Sequence, residues 1–217
     1  LGGCEVTMWD IAGVYASLAR TLNHQTKNHG KPDPSDVHPP NYKQKAKISK
    51  NSIANIPLDA TSIWFAFQAM QEVMRPGEEG LWQQFASSQK IAWKTGTSFG
   101  FRDGWAIGIT PKNVVAVWVG NTDGEGRPGL IGVQTAAPIL FDIFRLLPAN
   151  KWFTKPKYNF SFVPVCRQSG YRANIDCPDV DTLFMPPKGI NAPQCPYHKI
   201  IHLDASGTYR VTEECES

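Results

Sequence analysis

The sequence predicts an α+β fold, with an antiparallel sheet covered by helices and a small, cysteine-containing, loop-rich or β module behind it. Three observations carry this expectation. Residues 91–97, 104–110 and 113–121 are short strand-like runs in close succession, and Pro111-Lys112-Asn113 between the last two is turn chemistry, with proline pre-set for the first corner. The second and third runs are apolar on both faces. Trp105, Ile107 and Ile109 oppose Ala106, and Val115, Val117 and Val119 oppose Val114, Ala116 and Trp118. A sheet with one wet face alternates apolar and polar residues, so these strands should be sandwiched between helices. Finally, helical periodicity ends near residue 149, where aromatics, prolines and cysteines take over; this divides the chain into 1–149 and 150–217, with a linker near 148–156.

The helices follow from spacing and caps. Thr7-Met8-Trp9-Asp10 has the form of a capping box, and Ile11, Val14, Tyr15, Leu18 and Leu22 recur at helical intervals, which predicts a helix over 8–22. Residues 23–57 are polar and broken by Pro32, Pro34, Pro39, Pro40 and Pro57. They read as a long surface excursion with at most one short strand pair. His24, His29 and His38 fall here, but their spacing matches no common ligand pattern, so no metal is assigned to them. Asp59 can cap a helix over 60–74 whose stripe is Ile63, Trp64, Phe67, Met70 and Met74, and Arg75-Pro76-Gly77 stops it. A glycine-rich loop over 122–132 leads to a helix over 135–147. Pro138 would sit in its first turn, Ile139, Leu140, Ile143, Phe144 and Leu147 would face the sheet, and Pro148 ends it. In the tail, 200–203 and 208–211 could form a hairpin around Asp204-Ala205-Ser206-Gly207.

Bulk properties exclude some classes. A net charge of +3 without a dense lysine or arginine run gives no footprint for nucleic acid. No apolar stretch approaches the roughly 18 residues that a membrane-spanning helix needs. With no initiator methionine and no leader pattern, the chain reads as a fragment of a longer protein.

The chemistry concentrates in Lys94-Thr95-Gly96-Thr97-Ser98. A compact cation, three hydroxyls and a glycine that lets a ligand approach the backbone suit a small carboxylate with a carbonyl beside it. The stretch resembles the K-T-G box of penicillin-binding proteins and serine β-lactamases. The likeness continues through Phe101-Arg102-Asp103-Gly104-Trp105, Gly108-Ile109-Thr110-Pro111 and Val119-Gly120-Asn121, which together resemble the transpeptidase domain of class A penicillin-binding proteins. Leu1-Gly2-Gly3-Cys4-Glu5-Val6-Thr7 and the cysteine-bearing tail look most like the 1C subgroup.

That resemblance implies a parent protein that is a peptidoglycan D,D-transpeptidase, bifunctional with a glycosyltransferase domain, periplasmic and anchored upstream in the inner membrane. Its substrates would be stem peptides, with β-lactams as inhibitors. It assigns Lys94, Thr95, Gly96 and Thr97 to the catalytic cleft and Thr95, Thr97 and Ser98 to substrate binding, with the Thr97 N–H as one oxyanion donor. It implies no cofactor. Ser87-Ser88-Gln89-Lys90 matches S-x-x-K in letters, but it lies on the same segment as Lys94 and cannot face it across a cleft. Ser49-Lys50-Asn51 mimics S-x-N and lies inside the polar excursion. Both boxes are therefore expected upstream of residue 1, leaving the isolated fragment inactive. The competing readings are a non-catalytic periplasmic interaction module, whose tail docks a protein partner, and a β-lactam sensor of the same fold. The long extension argues against a β-lactamase.

In an oxidising periplasm the tail cysteines would pair. Cys4 reads as a buried free thiol, which leaves Cys166, Cys177, Cys195 and Cys215. The local pairing Cys166–Cys177 and Cys195–Cys215 is expected, each bridge closing a short loop. The rival is a structural zinc site of Cys166, Cys177, Cys195 and His198, suggested by the C-x2-H spacing of Cys195-Pro196-Tyr197-His198.

Overall fold

Ala92–Thr97 (β1), Asp103–Ile109 (β2) and Val114–Gly120 (β3) form an antiparallel sheet in the order β1-β2-β3. Trp93 stands opposite Gly108, Thr97 opposite Gly104, and Trp105 opposite Trp118. Between β2 and β3 the Thr110 N–H donates to the Asn113 carbonyl at 2.9 Å, and the Asn113 N–H donates to Thr110 Oγ1 at 3.1 Å, so Pro111 and Lys112 form a tight corner. The structure, a computed structural model, describes residues 5–31, 33–42, 58–76, 89–158 and 160–212. It is mixed α+β with small antiparallel sheets, and it divides into two compact units, Leu1–Tyr158 and Asn159–Ser217.

In the first unit three helices cover the sheet. Met8–His24 (α1) begins where Thr7 Oγ1 accepts the Asp10 N–H at 3.1 Å, and Ala60–Gln71 (α2) begins where Asp59 Oδ1 accepts the Ser62 N–H at 2.8 Å. Short polar side chains at these positions satisfy N–H groups that the first turn leaves without partners. Gly132–Leu146 (α3) packs on the face of β2 formed by Gly104, Ala106 and Gly108. A Cβ on Gly108 would come 2.7 Å from Phe144, and one on Gly104 would come 2.7 Å from Thr135 Oγ1. Small residues there let the helix approach the strand closely. Trp93, Ala136, Ala137, Leu140, Phe141 and Phe144 fill the layer so formed. The Trp93 ring meets Phe141 edge-on at 4.9 Å, and its indole N–H donates to the Val73 carbonyl at 3.1 Å. On the opposite face Leu22, Ile63, Phe67, Ala92, Ile109 and Phe153 make a second core. Helices therefore cover both faces, as the two-sided apolar pattern of β2 and β3 requires.

Several details depart from the sequence expectation. Helix α3 starts at Gly132, so Pro138 lies inside it rather than in its first turn. Proline lacks the N–H that would bond one turn back, and Pro138 is exposed, where water can solvate the freed carbonyl. The helix turns Ala136, Ala137, Leu140 and Phe144 to the sheet and Ile139 (45% exposed) and Ile143 (36%) outward. Helix α2 ends at Gln71, which leaves Met74 exposed beyond it, and Val14 on α1 is also exposed. The first unit continues through Trp152, Phe153 and Tyr158, with Phe153 buried against Phe67 at 5.3 Å between ring centres.

The histidines have local partners. His24 Nδ1 lies 2.6 Å from the buried Asp36 carboxylate, His38 Nδ1 donates to the Pro39 carbonyl at 2.7 Å, and His29 meets the Tyr158 ring edge-on. Residues 43–57 of the polar excursion lie outside the described residues.

In the second unit Ser161–Cys166 (β4) and Val180–Met185 (β5) pair antiparallel, with Val163 opposite Leu183. His202–Leu203 (β6) and Arg210–Val211 (β7) form the expected hairpin, whose turn is held by Asp204 Oδ1 accepting the N–H groups of Thr208 and Tyr209, each at 2.9 Å.

Urea unfolding of point variants tests the packing of α3. Leu140→Ala should lose about 2–5 kcal/mol by opening a cavity, and Gly108→Ala about 1–3 kcal/mol by crowding Phe144. Ile139→Ala should stay within about 0.5 kcal/mol, as an outward-facing residue does. A large loss at Ile139 would mean that α3 has a different phase.

Candidate functional site

Lys94, Thr95, Gly96 and Thr97 lie on β1, the edge strand of the described sheet. The register sets Thr95 opposite Ala106 and Thr97 opposite Gly104, on the α3 face, with Lys94 and Gly96 opposite Ile107 and Trp105 on the other. Lys94, Gly96 and Thr97 are exposed and Thr95 is half-buried. The Lys94 ammonium donates to the Thr95 carbonyl at 2.7 Å. Thr97 Oγ1 accepts the Gly132 N–H at 3.1 Å. Gly132 is itself buried against the strand backbone, and a Cβ there would collide with the carbonyls of Gly96 and Trp105. The first turn of α3 thus fixes the Thr97 side chain. Its hydroxyl hydrogen has no acceptor among the described residues, and the side chain is exposed.

The end of β1 is equally well held. The Ser98 N–H donates to the Asp103 carbonyl at 3.0 Å, and Ser98 Oγ accepts the Asp103 N–H at 2.8 Å. Phe101, at φ +56°, and Gly100, at φ +77°, complete the link to β2. Because antiparallel backbone groups alternate in direction, a Ser98 N–H aimed at β2 puts the Thr97 N–H on the open edge. The Asp103 carboxylate accepts the Trp118 indole N–H at 2.8 Å, a bond from the neighbouring strand. One edge therefore presents a cation, an oriented hydroxyl donor and an outward backbone N–H. Ser87 and the Ser49–Asn51 segment lie outside the described residues.

A second constellation occupies the Asn159–Ser217 unit. The sulfurs of Cys166, Cys177 and Cys195 and a ring nitrogen of His198 all lie within 4.8 Å of one another. Cys166 ends β4 and Cys177 precedes β5, while Cys195 and His198 follow a 3-10 turn at Pro187–Asn191. The Cys166 N–H donates to the Tyr171 carbonyl at 2.9 Å and the Cys195 N–H to the Arg172 carbonyl at 2.8 Å, so backbone pairing draws the two loops together.

Cys166, Cys177 and Cys195 are free cysteines, and no Cys166–Cys177 bridge is formed. Cys215, needed for the other bridge, and Cys4 lie outside the described residues.

His198 Nδ1 faces Cys166 Sγ and Cys195 Sγ, each at 3.3 Å, and Nε2 faces Gln168 Oε1 at 2.8 Å. The Ser169 hydroxyl donates to Cys195 Sγ at 3.1 Å, the Asn174 N–H donates to Cys177 Sγ at 3.4 Å, and Asn174 Nδ2 donates to the carbonyls of Cys195 and His198 at 2.8 and 2.9 Å. Burial opposes ionisation of Cys195, but hydrogen bonds from Ser169, from the backbone at His198 and Tyr197 and from the His198 ring outweigh it and bring the thiol down to about 6. Gln168, Ser169 and Asn174 escaped the sequence reading. Their only signal there is position, inside the loops that the cysteines bound.

No family model matches the chain. Over 147 residues, 68% of this chain and 16% of the relative, it is 29% identical to Penicillin-binding protein 1C of Escherichia coli (strain K12). Over 103 residues, 46% of this chain and 13% of the relative, it is 32% identical to Penicillin-binding protein 1B of Haemophilus influenzae. A crystal structure of Penicillin-Binding Protein 1A from Haemophilus influenzae aligns over 60% of this chain and 21% of that one, with 20% identity and a TM-score of 0.42. The matched stretch spans no more than 16% of these curated relatives. The chain thus has distant, partial homology to class A penicillin-binding proteins.

Proposed function

We propose that β1 is the carboxylate-binding and oxyanion-binding edge of a peptidoglycan D,D-transpeptidase cleft, and that the chain is part of a longer penicillin-binding protein. The observation that carries this reading is the Thr97 hydroxyl, whose oxygen is engaged by Gly132 and whose hydrogen has no acceptor among the described residues, on the strand edge that also bears the exposed Lys94. In acyl transfer from a D-Ala-D-Ala stem peptide, the substrate's terminal carboxylate would receive hydrogen bonds from the Thr95 and Thr97 hydroxyls in the positive potential of Lys94. The Thr97 N–H would supply one of the two donors to the tetrahedral oxyanion. A donor of that kind elsewhere is worth about 2.7–4 kcal/mol of barrier. Gly96 keeps the strand surface low where the peptide lies, and Ser98 holds the strand end in register.

The serine nucleophile and its base would come from segments of the parent outside these 217 residues. Ser87 is too near Lys94 in sequence to oppose it across a cleft. The parent, on this reading, works on the periplasmic side of the inner membrane and carries a glycosyltransferase domain. Among the described residues no helix is long and apolar enough to cross a membrane. The distant homology to Penicillin-binding proteins 1C and 1B supports the assignment.

Labelling with a fluorescent penicillin tests it. The 217-residue chain should take no covalent label. The longer gene product should, and Lys94→Ala within it should slow acylation at least about tenfold, a barrier increase of about 1.4 kcal/mol. Stoichiometric label on the short chain at Ser87, or an unaffected Lys94→Ala, would overturn the reading.

Thr97 has a separable structural part. Thr97→Val should strand the buried Gly132 N–H and cost about 1–3 kcal/mol in urea unfolding, whereas Thr97→Ser should restore both stability and labelling.

A further inference from the structure

We propose that Cys166, Cys177, Cys195 and His198 bind one zinc ion, and that this ion is the structural centre of the Asn159–Ser217 unit. The proposal stands apart from the transpeptidase reading and uses none of its residues.

The donor set fits the ion. Zinc takes thiolate and imidazole ligands in a tetrahedron, with Zn–S near 2.3 Å and Zn–N near 2.0–2.1 Å. Those bond lengths imply ligand atoms about 3.6–3.8 Å apart. The four donor atoms here all lie within 4.8 Å, and the His198 nitrogen is 3.3 Å from two of the sulfurs, so small adjustments close the tetrahedron. Three thiolates and one imidazole leave no open position, which marks a structural site and not a catalytic one. Soft sulfur with imidazole selects zinc over calcium or magnesium.

The surroundings are arranged as a ligand shell. Gln168 Oε1 faces His198 Nε2 at 2.8 Å; a carboxamide oxygen can only accept, so Nε2 carries the proton and the Nδ1 lone pair points into the cluster. Donors to sulfur come from Ser169 and from the Asn174 backbone, groups that stabilise thiolate charge. Asn174 also ties the Cys195 and His198 carbonyls together, which fixes the loop that presents both ligands. All three cysteines would bind as thiolates with a neutral imidazole, leaving a centre of net charge −1.

The unit also needs such a centre. Its buried apolar residues among those described are Val163, Val165, Cys166 and Cys195, so half of them are proposed ligands. A module this small, built of two short hairpins and loops, buries too little apolar surface to be stable without a staple. Zinc would join the end of β4, the approach to β5 and the loop after Asn191.

The full 217-residue chain, purified without chelator, provides the test. Native and denaturing mass spectrometry with elemental analysis should find about one zinc per chain and free thiols at Cys166, Cys177 and Cys195. Replacement by cobalt should give the intense thiolate-to-metal bands of a tetrahedral site. Cys177→Ser should abolish both. Gln168→Ala, which keeps every ligand, should weaken zinc in a chelator competition by about 10–100-fold. Removing the metal should speed amide exchange in β4 and β5 while leaving β1–β3 unchanged. A Cys166–Cys177 disulfide in a metal-free chain would overturn the proposal. So would iron or copper in place of zinc, or a reduced chain that takes up zinc no better than Cys177→Ser.

Discussion

The first unit depends on how closely one helix can approach a sheet. Gly132 opens α3 directly against the carbonyls of Gly96 and Trp105, and Gly104 and Gly108 clear the path for the rest of the helix. That contact does two jobs. It lets Leu140, Phe144 and Trp93 close a dry layer over the sheet, the main source of stability in a unit of this size. It also delivers the Gly132 N–H to Thr97 Oγ1 and so sets the orientation of a hydroxyl on the exposed edge. Packing and site geometry are the same interaction seen from two sides.

The edge strand shows why this chemistry suits a β1 position. An interior strand would spend both sets of backbone groups on neighbours. An edge strand keeps one row free, and alternation hands the Thr97 N–H to that row. A natural protein ordinarily blunts such an edge because it invites pairing with other chains; here Lys94 supplies a charge that discourages it. On the proposed reading the same lysine serves the ligand, so protection and recognition share one side chain.

The second unit solves a different problem. Two hairpins and their loops offer little apolar surface to bury, and the convergence of three sulfurs and an imidazole takes the place that large side chains hold in the first unit. The polar residues around that cluster are legible only in three dimensions. Asn174 bonds to backbone carbonyls far along the chain, at Cys195 and His198, and nothing in its immediate sequence announces this.

The sequence by itself determined the strand order, the two-sided covering of the sheet, the helix caps at Thr7 and Asp59, the hairpin at Asp204 and the strand that bears Lys94 to Thr97. These are local: they follow from turn chemistry, capping side chains and a period of two or 3.6 residues, each readable within a short window. Tertiary structure decided the rest. The phase of α3 was set by Gly132 docking on β1, which turned Ile139 and Ile143 to solvent and moved Pro138 into the helix interior. Likewise, spacing along the chain suggested local cysteine pairs, but the backbone links from Cys166 to Tyr171 and from Cys195 to Arg172 brought the thiols and His198 into one cluster. Which sulfur meets which partner depends on distances across loops, and a linear spacing carries no information about those.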